Sequence, residues 1–188
     1  MVNYTWMKVL VVGVFLVVGA SCIYTSDWFQ KKYAYPFLYN ELVCQYAAKH
    51  ELDPWLVTGV IKAESKFVLE AKSPVGAVGL MQLMPETAQW IAVQSEDPGF
   101  QLQDLASPEV NIRFGTWYLA SLKHEFHGNE VLILAAYNAG RGNVKEWMEQ
   151  HGWTMEFRDI EQIPFPETRE FIREVLWNKK RYQELYNR

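Results

Sequence analysis

The chain has 188 residues, 49% of them hydrophobic, which is enough for one domain with a packed core and an additional segment. Its net charge is −4 and no basic arm or block occurs, so the composition argues against nucleic acid as a partner. The only two cysteines, Cys22 and Cys44, do not make a disulfide framework. Because Cys44 lies in a helical pattern, we expect it to be a small core residue.

The first 26 residues differ in kind from the rest. Residues 9–24 are sixteen residues without a charge, close to the length that a membrane span needs. An uncleaved signal anchor is the first interpretation. Cleavage after Ala20 and lipidation at Cys22 are the alternatives, and all three take the protein to the membrane or beyond it. The uniform apolarity does not favour a buried core helix.

Residues 27–188 contain no repeat, low-complexity tract or long linker, so they predict one domain. Residues 68–84 contain Pro74, Gly76 and Gly79 and predict an irregular connection, in which a short hairpin stays open. The fold class is therefore all-α. Periodicity and capping residues predict helices over 36–50, 54–67, 85–94, 108–127, 129–139, 141–150 and 167–187.

Histidine and aromatic residues give little direct information about chemistry. None of the four histidines has the spacing of a metal-binding helix, so we expect them at the surface and predict no metal site. Most of the large aromatic side chains should lie in the core. They are Trp55, Trp90, Trp117, Tyr118, Trp147 and Trp177.

A glutamate interrupts the apolar side of the helix predicted over 54–67. The polar residues of this helix form one stripe: Thr58, Lys62, Ser65 and Lys66. At about 100° per residue, Glu64 lies roughly 145° from the centre of that stripe. Burial and the nearby carboxyl end of the helix would both raise the pKa of its carboxyl, and a carboxyl protonated near neutrality is a general acid. A buried glutamate satisfied by backbone amides or by an arginine remains the alternative on this helix alone.

Several motifs occur one after another along the chain, beginning at Glu64. They are "ESKF" at 64–67, "SPVGAVGLMQLMP" at 73–85, "NIRFGTWYL" at 111–119, "AAYNAG" at 135–140 and "ETREFI" at 167–172 with Tyr182 beyond it. Each has an ordinary structural explanation by itself. In this order, the chain from about residue 36 to 188 resembles the soluble lytic transglycosylase (SLT) domain, a lysozyme-like fold that cuts bacterial peptidoglycan. The resemblance implies a lysozyme-like single domain over 27–188, preceded by a signal or anchor segment over 1–26.

The resemblance also implies the site, residue by residue. Glu64 would be the catalytic acid and base, and Ser65 would help to orient its carboxylate. The residues expected to line the substrate cleft are Met81, Gln82, Tyr137, Asn138, Glu167 and Tyr182. Tyr182 also fits a core position, so both interpretations stay open. Phe171 stands where a tyrosine is common in the family.

The implied activity is that of a lytic transglycosylase. Protonated Glu64 would donate to the oxygen between N-acetylmuramic acid and N-acetylglucosamine and then take the proton of the muramyl C6 hydroxyl, which closes a 1,6-anhydro ring without a metal or cofactor. The partner would be the glycan strands of peptidoglycan. The domain would lie outside the cytoplasm, anchored in the membrane or secreted if the N-terminal segment is cleaved. A lysozyme-type hydrolase, in which a second carboxylate holds water, and a non-catalytic wall-binding protein are the alternatives.

Overall fold

The computed structural model describes residues 4–187. Residues 1–3 and 188, the outer ends of the predicted segments 1–26 and 27–188, lie outside the described residues. The described α-helices are α1 (Tyr4–Thr25), α2 (Asp27–Phe29), α3 (Asn40–Lys49), α4 (Pro54–Ser65), α5 (Pro85–Gln94), α6 (Pro108–Glu125), α7 (Glu130–Ala139), α8 (Arg141–His151) and α9 (Pro166–Tyr186). A π-helical turn covers Gln30–Ala34, and 3₁₀ turns cover Leu102–Ala106 and Ile160–Gln162.

The all-α prediction is confirmed, with small differences at helix ends. Within 4–187 the connection between α4 and α5 forms no strand; isolated antiparallel bridges join Val78 to Lys72 and Leu83. The helix predicted over 36–50 begins only at Asn40, because Tyr39 has a left-handed backbone with φ +54°. Helix α4 ends two residues early for the same kind of reason, since the residues after Ser65 have φ of +51° and +65°.

Helices α4 and α9 cross at very close range in the middle of the domain. A Cβ atom placed on Gly59 would lie 2.8 Å from the carbonyl oxygen of Val175 and 3.2 Å from the amide nitrogen of Lys179. Only a residue without a side chain permits this approach of two backbones. The face of α9 that packs against the rest of the domain is buried and contains Phe171, Val175, Tyr182 and Leu185.

A buried asparagine holds the connection between α4 and α5 in place. The Oδ1 atom of Asn111, on α6, accepts a hydrogen bond of 2.8 Å from the backbone amide of Met81. Its Nδ2 donates to the carbonyl oxygens of Val78 at 2.9 Å and Leu105 at 3.1 Å. Because this side chain has no exposed surface, the three bonds form in a low-dielectric interior, where they fix the loop strongly.

Several predicted burial positions are wrong. Cys44 is exposed, because α3 buries Val43 and the residues one turn later, while Cys44 is rotated by about 100° from Val43. Trp90 and Trp177 are also exposed, at 37% and 59%. Thr58 and Ser65, expected on a polar stripe, are buried instead, because their hydroxyls donate to backbone carbonyls one turn earlier.

Helix α1 stands apart from the domain core. Its stretch Trp6–Thr25 is long and apolar enough to cross a membrane, judged by length and composition. No part of it is buried against the domain, so the interpretation as a core helix is wrong. Gln30 connects it to the domain: its side chain is buried, and its Nε2 donates to the carbonyl oxygen of Tyr24 at 2.7 Å.

Candidate active site

Glu64 lies in the last turn of α4 and is partly buried. Among residues 4–187 its carboxylate accepts no hydrogen bond and has no cation within 4.0 Å. Burial, followed by the negative charges of Glu167 and Glu174, raises the pKa of this carboxyl from 4.5 to about 8. The group is therefore protonated at neutral pH, which is the state that a general acid needs.

Ser65 fixes the backbone beside Glu64. Its hydroxyl donates to the carbonyl oxygen of Ile61 at 3.1 Å and accepts from the backbone amide of Phe67 at 3.2 Å. These bonds close the C-terminal end of α4 just before the chain turns into the left-handed conformation of Lys66. The hydroxyl of Ser65 is therefore bonded to the backbone on both sides of Glu64.

Tyr137, near the end of α7, lies close to Glu64. Its hydroxyl donates to the carbonyl oxygen of Met81 at 2.7 Å. Its ring lies parallel to that of Phe171, with 6.3 Å between centroids and 7° between planes. Burial raises the pKa of the phenol well above its usual value, and the negative charge that Glu64 can carry raises it further. The phenol is therefore neutral beside the proposed acid.

Gln82 is held in an uncommon backbone conformation by its own side chain. Its φ is +46°, and its Nε2 donates to the carbonyl oxygens of Ala71 at 3.0 Å and Gly79 at 2.9 Å. Strained backbone of this kind is typical of functional sites. Both amide hydrogens are used in the loop, so the amide oxygen is the atom left for another molecule.

Asn138 links the end of α7 to α9. Its Oδ1 accepts a hydrogen bond of 2.7 Å from the hydroxyl of Thr168, which is buried. This bond leaves the NH₂ group of Asn138 for another molecule. Since Thr168 follows Glu167 directly, the same bond fixes the start of α9, where Glu167 is exposed.

A groove of about 250 Å³ brings several of these side chains together. It is lined by Gln82, Leu83, Met84, Thr87, Tyr118, Tyr137, Asn138, Ala139 and Gly140. A larger groove of about 550 Å³ lies outside α5, but its lining, which includes Val93 and Phe100, contains none of the predicted site residues. The smaller groove is therefore the candidate for the chemistry.

The structure places two of the predicted cleft residues in the core. The side chain of Met81 has no exposed surface; its backbone carbonyl holds Tyr137. Tyr182 is also fully buried and donates its hydroxyl to the carbonyl oxygen of Pro36 at 3.0 Å. Of its two open interpretations, the core position is the one observed.

The model of the family described as "Transglycosylase SLT domain" matches residues 41–160, more than half of the chain. The chain belongs to this family. Over 151 residues it is 36% identical to the soluble lytic murein transglycosylase of Escherichia coli K12. The aligned region covers 79% of this chain and 23% of that protein. This chain therefore spans about a quarter of that relative's length.

Two further similarities concern membrane attachment and fold. The membrane-bound lytic murein transglycosylase C of Actinobacillus pleuropneumoniae serotype 5b is 34% identical over 115 residues, covering 56% of this chain and 32% of the relative. An inactive glutamate-to-glutamine mutant of lytic transglycosylase Slt from Pseudomonas aeruginosa superimposes with a TM-score of 0.75 at 34% identity, covering 89% of this chain and 27% of that one. The lysozyme-like SLT fold predicted from the motifs is thereby confirmed.

Several residues around the candidate site were not predicted, and Met84 and Glu174 are the two that bear on the motifs. Met84 lines the groove, although "GLMQLMP" had drawn attention to Met81. Glu174 contributes to the raised pKa of Glu64. Its signal was available in the sequence, because Glu174 follows Glu167 by seven residues, two turns along the same face of α9.

Proposed function

We propose that the protein is a peptidoglycan lytic transglycosylase. It would cleave the β-1,4 bond between N-acetylmuramic acid and N-acetylglucosamine and leave 1,6-anhydro-muramyl ends. The observation that carries the proposal is the carboxyl of Glu64, unpaired and protonated at neutral pH beside Tyr137. The named activities of the similar proteins support it, although this chain spans only a quarter of the E. coli relative.

The proposed reaction uses Glu64 twice. The protonated carboxyl donates its proton to the bridging oxygen as the C1–O bond of the muramyl residue breaks. The substrate's own N-acetyl carbonyl stabilises the positive anomeric carbon. The carboxylate then removes the proton of the muramyl C6 hydroxyl as that oxygen attacks C1, so the carboxyl ends as it began. General acid–base catalysis of this kind contributes roughly 10²–10⁴-fold in rate.

The residues that line the groove would position the sugars. The free amide oxygen of Gln82 fits an N–H donor, and the free NH₂ group of Asn138 fits a carbonyl oxygen. An N-acetyl group offers both. Ser65 and the Met81 carbonyl would act indirectly, by holding Glu64 and Tyr137. Preorganised contacts of this type reduce the entropic part of the barrier.

A lysozyme-type hydrolase is the second candidate. Glu167 and Glu174 are both near enough to Glu64 for their charges to raise its pKa. A second carboxylate that activates water is what ordinary glycosidases require. A non-catalytic wall-binding protein is less well supported, because binding alone gives no reason to retain a buried carboxyl without a partner.

We also propose that residues 1–26 anchor residues 27–188 to the membrane, with the domain outside the cytoplasm. Support comes from α1 and from the exposed aromatic residues where it ends, since Trp and Tyr favour the membrane–water interface. Trp28 and Tyr33 lie there, with the ammonium of Lys32 at 5.1 and 5.3 Å from their ring centroids. The name of the membrane-bound relative agrees with this placement.

Product analysis tests the proposed activity. The full chain, purified in detergent, is incubated with isolated cell-wall sacculi, and the soluble products are analysed by mass spectrometry. Anhydro-muramyl ends are expected from the wild type and are expected to be absent with Glu64→Gln at unchanged folding. Reducing muramyl ends would identify the hydrolase, and the absence of any cleavage by a folded wild type would refute both enzymes.

A further inference from the structure

A groove of about 500 Å³ lies where α1 meets α9, and we call it the junction groove. It combines the last two residues of α1 with residues of α9 and of the segment that follows α1. Its lining residues are Tyr24, Thr25, Gln30, Tyr35, Trp177, Lys180, Arg181 and Glu184. None of them lines the groove that contains Tyr137, and the proposed reaction gives none of them a role.

The position of the junction groove along α1 relates it to a membrane. The stretch Trp6–Thr25 is the one long and apolar enough to span a bilayer, and the groove begins where this stretch ends. At that level a bilayer changes from hydrocarbon to headgroups, and the lipid phosphates lie there. Tyr24 and Trp177, which line the groove, are 61% and 59% exposed. Trp and Tyr favour this interface, so the exposure of Trp177 fits a place at the membrane surface.

The groove offers hydrogen-bond donors that carry positive charge. Lys180 is exposed, and among residues 4–187 no carboxylate lies within 4.0 Å of its ammonium. Arg181 is paired with Glu184, and its guanidinium lies 5.7 Å from the ring centroid of Tyr35. Because a guanidinium has five N–H donors, one carboxylate leaves Arg181 with donors for a further anion.

The carboxylates near the groove do not balance its cations. Segments 26–35 and 180–187 together contain four cations and two carboxylates, which are Lys31, Lys32, Lys180, Arg181, Asp27 and Glu184. Lys31 and Lys32 lie beside exposed or half-buried rings, each 5.1 Å from the centroid of Tyr186 and Trp28, respectively. An excess of positive charge therefore remains around the groove after each carboxylate is matched with a cation.

Hydrogen bonds hold the walls of the groove together without a ligand. The buried side chain of Gln30 donates to the carbonyl oxygen of Tyr24 at 2.7 Å, which fixes the end of α1. The Nε1 of Trp177, on α9, donates to the hydroxyl of Tyr35 at 3.3 Å. The segment after α1 thus contacts both helices, and the groove is preformed. A preformed site loses less entropy when a ligand binds.

We propose that the junction groove binds the phosphate of an anionic phospholipid headgroup, with Lys180 and Arg181 as donors, and so holds α9 on the membrane surface. This inference rests on the proposed membrane anchor and is independent of the proposed reaction. Ammonium and guanidinium groups form charge-assisted hydrogen bonds with phosphate. An anchor helix alone fixes the distance of the domain from the bilayer. A second contact at α9 also fixes which side of the domain faces the bilayer.

Lipid retention by the full chain is the first test. The chain is purified in detergent micelles, and native mass spectrometry counts the lipids that remain bound. The probes are phosphatidylglycerol and phosphatidylcholine with the same acyl chains. The wild type should retain one phosphatidylglycerol in preference to phosphatidylcholine, whose choline cancels the phosphate charge. Lys180→Ala and Arg181→Ala should each weaken the retention of phosphatidylglycerol about five-fold, the usual contribution of one cation near an anionic surface.

Each variant has a matched control. Lys49→Ala removes an exposed lysine from α3 and changes the net charge as Lys180→Ala does. Arg173→Ala removes an arginine from α9 that pairs with Glu170 three residues earlier, so it also breaks an ion pair within the helix. Both controls should retain phosphatidylglycerol as the wild type does. Thermal midpoints of all variants are compared, so that a loss of folded protein is not counted as a loss of lipid.

Tryptophan quenching tests the contact in a bilayer. The full chain is placed in phosphatidylcholine vesicles with or without phosphatidylglycerol, with bromine on the acyl chains as the quencher. The contribution of Trp177 is the difference between the wild type and Trp177→Phe. This contribution should be quenched more strongly when phosphatidylglycerol is present, and Lys180→Ala should reduce the difference. High salt should reduce it as well, because Lys180 is exposed and its field is screened.

The outcomes separate the lipid site from the anchor. Equal retention of both lipids, or unchanged retention in Lys180→Ala and Arg181→Ala, would overturn the lipid site. Displacement of phosphatidylglycerol by an equal concentration of inorganic phosphate would also overturn it, since the groove would then bind a free anion. A chain that stays in vesicles without lipid preference would contradict the lipid site and leave the anchor supported. A chain that prefers phosphatidylglycerol in detergent but washes out of vesicles would contradict the anchor and leave the groove supported.

Discussion

The hydroxyl of Tyr137 donates a hydrogen bond of 2.7 Å to the backbone carbonyl of Met81. The bond ties α7 to the loop before α5, and that loop also carries Gln82 at a φ of +46°. The phenol proton is thus already donated to the Met81 carbonyl in this structural hydrogen bond. We infer that the first role of Tyr137 is to hold the loop, and that any contact with the reacting sugars uses the oxygen lone pairs.

Tyr137→Phe should therefore lower both stability and activity without abolishing either. Loss of the bond leaves a buried carbonyl without a partner, which costs about 1–3 kcal/mol. Thermal unfolding should show this as a lower midpoint, and kcat/KM on sacculi should fall because Gln82 is less well positioned. Phe171→Leu is a suitable control, since it perturbs the ring stacking and keeps the hydrogen bond. Unchanged stability in Tyr137→Phe would contradict the structural role.

Glu64→Gln should change stability in a manner that depends on pH. The carboxyl has a pKa of about 8 in the folded chain against 4.5 for the free side chain, so between these values the folded state holds a proton that the unfolded state has lost. Its contribution is fully present below about pH 4.5 and is lost as pH rises to about 8. Because the substituted glutamine side chain cannot ionise, the variant should match the wild type in acid and exceed it in alkali by a few kcal/mol.

The measurement is the difference in thermal midpoint between wild type and Glu64→Gln at pH 5 and at pH 8.5. For a domain of this size each kcal/mol corresponds to about 2–4 °C. Glu170→Gln removes a carboxyl that is exposed and paired with Arg173, and it should not show this pattern. A difference between wild type and Glu64→Gln that is the same at both pH values would mean that the carboxyl of Glu64 is not held protonated.

Glu174→Gln should move the alkaline limit of activity to lower pH. The charge of Glu174 raises the pKa of Glu64, so its removal lowers the pH above which the acid is ionised and inactive. The test is the pH dependence of kcat/KM for anhydro product formation. The shift should shrink at high salt, because Glu174 is exposed and its field is screened.

Glu170→Gln again provides the comparison, since it removes one negative charge from the same helix. Equal shifts for the two variants would indicate a general effect of net charge. If Glu174→Gln greatly reduced activity and left the alkaline limit of the residual activity unchanged, Glu174 would be acting on water, as the hydrolase candidate requires.

The sequence predicted the helices and singled out Glu64, because both predictions depend on local patterns. Rotation about the axis of α4 was enough to show that Glu64 faces away from its polar stripe. It did not show what faces Glu64. Glu167 and Glu174 come more than 100 residues later, and only the packing of α9 on α4 brings their charges close.

The wrong burial predictions and the missed contacts also arise because tertiary packing is not visible in a local pattern. A helical pattern does not say which of two adjacent positions faces the core, so Cys44 was placed inside while Val43 takes that place. The contact between Trp90 and Arg141 was also not predictable, since they lie on different helices and meet only in the fold. Motif order located Met81 and Gln82 in the right loop, but the side-chain direction within that loop depends on contacts with Asn111.

Gly59→Ala should show how strongly the site depends on the crossing of α4 and α9. Helix propensity favours alanine at this position by about 1 kcal/mol. The new Cβ, however, would lie 2.8 Å from the carbonyl oxygen of Val175, and neither backbone can yield as a flexible side chain could. Overpacking of this kind costs about 1–3 kcal/mol, so the thermal midpoint should fall. The value of kcat/KM should fall by more than the loss of folded protein explains, because a shift of about 1 Å in a catalytic group can lower the rate about 10²-fold.

Gly142→Ala is the matched control for this substitution. Gly142 lies in α8, and a Cβ there would have no atom within 4 Å, so alanine should keep or raise the thermal midpoint. A Gly59→Ala variant as stable as Gly142→Ala would mean that the two helices can separate freely. In that case Glu64 would not be held at a fixed position relative to Glu167 and Glu174, and its pKa could not depend on them. The pH profile of kcat/KM in Gly59→Ala therefore gives an independent check, since wider separation of the helices should move its alkaline limit to lower pH.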